Sequence, residues 1–289
     1  MSYSPEYGGF GGRRGDWSPA SPFAKSDLDQ ISFLTTPVEL LSNDGKKSVV
    51  SHASGFFWDY CEKSYLITNW HVLSGLNVFD ASPMNKMGFI PSSIRIYLPE
   101  VYESSSIVIR RKPFELPLLA ADGSPAWIEH PKMGSQPSDV VAIEVPRLGD
   151  VVGRTHLNRY GFDKIVTQVG SDVFICGYPL KSYGQLCPSI WKRGSLASEP
   201  NIPVDGQPIF LVDAATTSGM SGSPVLRRVY GPAPVFGDDE KTTMNLDSVV
   251  ATEFIGVYAG RLQSTELAAV NLGYCWYASI ITEILNQRQ

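Results

Sequence analysis

The 289-residue chain has no apolar run approaching the roughly 20 residues needed to cross a bilayer. A helical membrane span is therefore not expected. The first stretch, "MSYSPEYGGFGGRRGDWSPASPF", lacks the apolar centre of a secretory signal. For a chain that begins at Met1, this creates the expectation of a cytoplasmic protein. Cysteine is scarce. The four present, Cys61, Cys176, Cys187 and Cys275, stand far apart with no C-x-x-C spacing. Buried free thiols are expected, in keeping with a reducing compartment. The four histidines, His52, His71, His130 and His156, are equally dispersed, so no metal or other cofactor is expected. An excess of positive charge is missing too. Net charge is −5 with Lys and Arg scattered, which leaves no electrostatic footprint for nucleic acid or an anionic membrane.

What is present is an ordinary globular composition, 43% hydrophobic and 18% charged, long enough to bury a substantial core without covalent staples. Residues 1–25 are rich in Gly, Ser, Pro and Tyr without periodicity and are read as a flexible tail. Short runs of Val, Ile, Phe and Tyr follow, broken by turn residues. Among them are "SGFFW" (54–58), "SYLITNWHV" (64–72), "SIRIYLP" (93–99), "SIVIRR" (106–111), "DVVAIEV" (139–145), "DVFICGYP" (172–179), "PIFLVD" (208–213) and "EFIGVYAG" (253–260). Helical periodicity appears only at the end. There Ser279 is the expected N-cap and Ile280, Ile281, Ile284 and Leu285 share one face. Many short strands and one closing helix predict an all-β barrel or sandwich. Residues 148–171 read as a linker between a first unit, 26–147, and a second, 172–289. Residues 229–247 read as a surface loop with an acidic patch.

One short segment raises a chemical question. "TTSGMSGSPVL" (216–226) is either an ordinary turn or the loop that holds a nucleophile. A serine needs a base to take its proton and donors aimed at the oxyanion. Gly219, two residues before Ser221, lets the backbone turn an N–H inward; Gly222, just after it, leaves room for substrate. The N–H groups of Gly219 and Ser221 could then form an oxyanion hole. His71 ends the apolar run of "SYLITNWHVLSG" before a Ser-Gly turn, where it is either a base facing a cleft or a half-buried structural histidine. Asp139 enters the apolar "SDVVAIEV". It is either the group that orients the imidazole or a strand-start residue. The order His71, Asp139, Ser221 differs from that of α/β-hydrolases and subtilisins.

With these residues in that order, the chain resembles the chymotrypsin/trypsin-like serine endopeptidases. It is most similar to their bacterial disulfide-free branch, which includes the high-temperature-requirement proteases. "SGFFW" resembles the family's G-S-G-F strand, "LITNWHV" its histidine motif, "DVVAIEV" its aspartate strand and "VDAATTSGMSGSPVL" its serine loop. "DVFICGYP" resembles the opening strand of the second barrel, and "FIGVYAG" the strand beside substrate. The resemblance covers roughly residues 30–285. It implies two six-stranded antiparallel β-barrels, followed here by the C-terminal α-helix, with the site between the barrels. It implies Ser221 as nucleophile, His71 as general base and acid, and Asp139 as its partner. It also implies a specificity pocket with Ala215 at its floor, beside Thr216, and walls from Tyr258, Ala259, Gly260 and Cys275. That lining lacks an acid, so cleavage is expected after small or medium apolar residues.

The departures carry expectations of their own. Val72 stands where secreted relatives have cysteine, and Ser223 replaces the second glycine of the serine motif. Met220 replaces the aspartate that pairs with a freshly cut N-terminus in zymogens, so cutting the chain is not the expected switch. The long interval from His71 to Asp139 implies a large insertion in the first barrel. The substrate would be a protein or peptide. A cytoplasmic protease endangers its own cell, so narrow specificity or a regulatory protein partner is expected. A catalytically silent binding or scaffold protein on the same fold is the alternative.

Overall fold

The β-branched and aromatic runs of the sequence fold into antiparallel strands. The computed structural model describes residues 29–42, 48–84, 90–101, 108–132, 138–148, 155–179, 188–236, 241–245, 250–262 and 272–288. The expected tail 1–25, Cys187 and the acidic residues 238–240 lie outside the described residues.

The first half of the chain carries β1 (Thr35–Leu41), β2 (Val49–Tyr60), β3 (Lys63–Thr68), β4 (Ser93–Val101), β5 (Val108–Pro117), β6 (Trp127–Ile128) and β7 (Val141–Val145). They pair in the order β5-β4-β1-β2-β3-β7-β6 and form a curled sheet. The sheet has seven strands where six were expected, because Trp127 and Ile128 add a short strand beside β7. The paired strands β4 and β5 occupy much of the long interval between His71 and Asp139. A five-residue helix, α1 (Trp70–Ser74), follows β3.

The second half carries β8 (Asp172–Gly177), β9 (Ile190–Leu196), β10 (Ile209–Asp213), β11 (Pro224–Tyr230), β12 (Ala233–Phe236), β13 (Thr242–Asn245), β14 (Val250–Arg261) and β15 (Leu272–Tyr277). Six of these close a barrel in the order β10-β15-β14-β11-β8-β9, and β12 and β13 make a separate hairpin. The all-β, chymotrypsin-like two-barrel expectation therefore holds. The surface loop expected over 229–247 instead contains the end of β11 and that hairpin. Its residues alternate poorly in hydrophobicity, so the strand signal was weak.

The chain ends in α2 (Ser279–Leu285), as expected, with Ile280, Ile281, Ile284 and Leu285 all at most 2% exposed. Ser279 is not its cap. Ala278 occupies that position in helical geometry, with its N–H held by the Ile255 carbonyl, so β15 runs into the helix with no extended residue between. The buried face of α2 joins a core shared by both halves, including Phe56 and Ile67 from the first sheet and Leu226, Val257 and Trp276 from the barrel. Burying such side chains contributes about 1.5–3 kcal/mol each. This shared core fixes the seam where the candidate site lies.

Candidate active site

His71 is the second residue of α1 rather than the end of the preceding strand, as the sequence had indicated. Strand β3 stops at Thr68, and Asn69 starts the turn of helix. Asn69 Nδ2 donates to the Asp139 backbone carbonyl at 2.6 Å, which ties the helix start to the entry of β7. At the other end Gly75, with φ +74°, closes α1 in the left-handed region and donates its N–H to the His71 carbonyl.

Asp139 is fully buried. Its carboxylate accepts two bonds from one residue: Oδ1 takes the His71 backbone N–H at 2.9 Å, and Oδ2 meets the ring Nδ1 at 2.7 Å. An ionised carboxylate can only accept, so the Nδ1 proton donates and the lone pair of the neutral imidazole is on Nε2. The fork fixes both ring orientation and tautomer. Burial first, and the nearby Asp139 charge second, push the Tyr274 phenol far above its usual range, so it stays neutral beside the pair.

Ser221 faces the same cleft, of about 420 Å³, that His71 and Asp139 border. Its hydroxyl donates to the Ala259 carbonyl at 2.9 Å. It sits in a loop pinned from the first sheet. The Ser54 N–H donates to the Ser221 carbonyl at 2.8 Å, and Ser54 Oγ donates to the Gly219 carbonyl at 2.7 Å. Ser54 Oγ also accepts the Tyr178 N–H, and the Ser54 carbonyl accepts the Thr68 hydroxyl. With both carbonyls held from behind, the Gly219 and Ser221 N–H groups donate to no acceptor among the described residues. They are available for an oxyanion. Gly219 takes φ +97°, and a Cβ there would collide with the Tyr178 carbonyl.

Gly222 has a different reason from the one the sequence had indicated. Its φ is +84°, and a side chain there would strike the Ser54 carbonyl and the Thr68 hydroxyl. The glycine makes room for the first sheet, not for substrate. Met220 is fully buried in the barrel core with Val212, Val225 and Cys275. Ser223 is also fully buried, against Gly177.

Of the expected pocket residues, Thr216, Tyr258, Ala259 and Gly260 border the cleft. Ala215 does not. It is exposed on the surface, because the loop turns its side chain outward between buried Ala214 and Thr216. Cys275 is fully buried in the barrel core, and its thiol is pushed well above the usual range by burial. Phe79 and Met84, about half exposed, also border the cleft; they lie in an aperiodic stretch that carries no sequence signal for a site. Ser54 opens the "SGFFW" run, and nothing in the sequence around it marks its bonds to the serine loop.

Cys61, Cys176 and Cys275 are free thiols, and among the described residues no cluster of His, Cys, Asp and Glu could hold a metal ion. No helix among them is long and apolar enough to cross a membrane. The family model described as a trypsin-like peptidase domain matches residues 53–231, which contain His71, Asp139 and Ser221. No curated protein matches the chain.

Proposed function

The chain belongs to the trypsin-like peptidase domain family, and from that premise we propose that it is a serine endopeptidase working through an acyl-enzyme. The observation that carries the reading is the buried Asp139 fork on His71, which leaves Nε2 as the basic nitrogen. In the reaction the Ser221 hydroxyl turns from the Ala259 carbonyl and gives its proton to Nε2 as Oγ attacks the peptide carbonyl. The oxyanion accepts the Gly219 and Ser221 N–H groups. His71 then hands the proton to the leaving amine, and water repeats the cycle to free the acid. Asp139 stays ionised throughout and stabilises the imidazolium.

The substrate is a protein or peptide. The small residues Ala259 and Gly260 beside Ser221 support cleavage after small or medium apolar residues, and the lack of a free acid among the described lining residues speaks against Lys or Arg. Free thiols in the described residues support a reducing, cytoplasmic setting and the disulfide-free branch of the family. Narrow specificity or a regulatory partner would restrain the enzyme there. One observation favours a silent scaffold instead: the Ser221 hydroxyl is engaged by Ala259 rather than by the imidazole. On the endopeptidase reading the hydroxyl leaves that carbonyl for Nε2 when substrate is attacked.

Turnover of a peptide substrate tests the reading. Ser221→Ala should lower it by on the order of 10⁴–10⁶ while circular dichroism stays unchanged. Full activity in that variant would end the assignment.

A further inference from the structure

Thr216 and Tyr258 border the cleft beside Ser221. The Tyr258 ring lies against both Thr216 and Gly273 of β15. Its hydroxyl meets Thr216 Oγ1 at 2.5 Å. Its edge lies so close to Gly273 that a Cβ added there would stand 2.7 Å from Cε2. The ring packs into a core cluster with Val212, Ala214, Met220 and Cys275, all at most 3% exposed. Tyr258 itself is 2% exposed and still borders the cleft. Burial pushes its phenol up to about 12, so the hydroxyl remains a neutral partner of Thr216 at any working pH.

We propose that Tyr258 plugs the specificity pocket and confines the residue whose carbonyl is attacked to Gly, Ala or Ser. The inference rests on the endopeptidase reading and narrows it. A Leu, Met or Phe side chain would have to displace the ring. That breaks the bond to Thr216, leaves a buried hydroxyl unsatisfied and forces extra volume into packed core. A hydrogen or a methyl group displaces nothing. Cations are excluded on separate grounds. Among the described residues bordering the cleft the single carboxylate is Asp139, and His71 already holds both its oxygens.

The test is a peptide library varied at the cleaved position, run on the full chain, alongside fluorophosphonate labelling of the same preparation. Gly, Ala and Ser should exceed Leu, Met and Phe by at least about tenfold, since each displaced methylene is worth roughly 1–3 kcal/mol in such a pocket. Tyr258→Val should shift the profile toward Leu and Met by a similar factor. Tyr258→Phe, which keeps the ring, should retain the small-residue preference. Labelled wild-type protein that cleaves after Leu or Phe as fast as after Ala would overturn the plug, whether or not Tyr258→Val folds. Absence of both labelling and cleavage would instead overturn the endopeptidase reading beneath it.

Discussion

Ser54 is one residue with four hydrogen bonds at the seam. Its amide and hydroxyl hold the carbonyls of Ser221 and Gly219, the residues whose N–H groups stay unengaged. A peptide unit is planar, so fixing a carbonyl fixes the amide across the same bond and damps the swing of its neighbours. In the proposed mechanism Ser54 would act on the oxyanion only through these peptides, as a positioning residue. Ser54→Ala should therefore lower kcat by roughly tenfold with KM little changed, short of the 10²–10³ lost when a donor is deleted outright. Ser54→Thr keeps the hydroxyl and should recover part of the loss. An equal fall in thermal stability and in kcat, without recovery by threonine, would point to a structural role alone. Sequence reading could not reach this role, because the bonds cross more than 160 positions and nothing local marks their far ends.

At the scale of elements, the β2–β3 hairpin turns through Cys61 and Glu62, both exposed, with φ +46° and +61°. That geometry favours Asn-Gly, and residues with a Cβ other than Asn or Asp carry a penalty of about 1–2 kcal/mol each in it. Replacing the pair by Asn-Gly should raise Tm by about 2–6 °C and leave peptide turnover unaltered. A lower Tm would show that the two side chains make compensating contacts. The same hairpin explains what was legible in the sequence. "SGFFW" and "SYLIT" alternate or run apolar strongly enough to be read as strands, though Cys-Glu gives no turn signal. His71 was found through the chemistry of its motif, yet its helix was not: five residues are too few for a helical period to register. Ala215 was misjudged because a count of positions along the chain says nothing about which way a loop residue faces.

For the whole molecule, the two halves share one core, so groups far from the cleft bear on the stability of the site. Glu253 of β14 does not border the cleft, and burial pushes its carboxyl up to about 7, against opposing hydrogen bonds from Thr167 and the Ile165 backbone and the charge of Arg227. Its folded value is thus raised above the ordinary 4.5. The stability it contributes is fully present below the unfolded value and is lost as pH rises through about 7. Glu253→Gln cannot ionise, so its Tm should fall less than the wild type's between pH 5 and pH 8. Parallel curves would mean that the carboxyl titrates normally. The order His71, Asp139, Ser221 was legible because each lies in a local motif, whereas their convergence depends on sheet register and the seam. The central claim is that this seam activates Ser221 as a nucleophile. Its most direct test is mass spectrometry of the native protein after treatment with a fluorophosphonate. The account predicts a single phosphonyl adduct on the peptide containing Ser221, absent after denaturation and lost in His71→Ala. An unmodified Ser221, or an adduct that forms equally without His71, would contradict it.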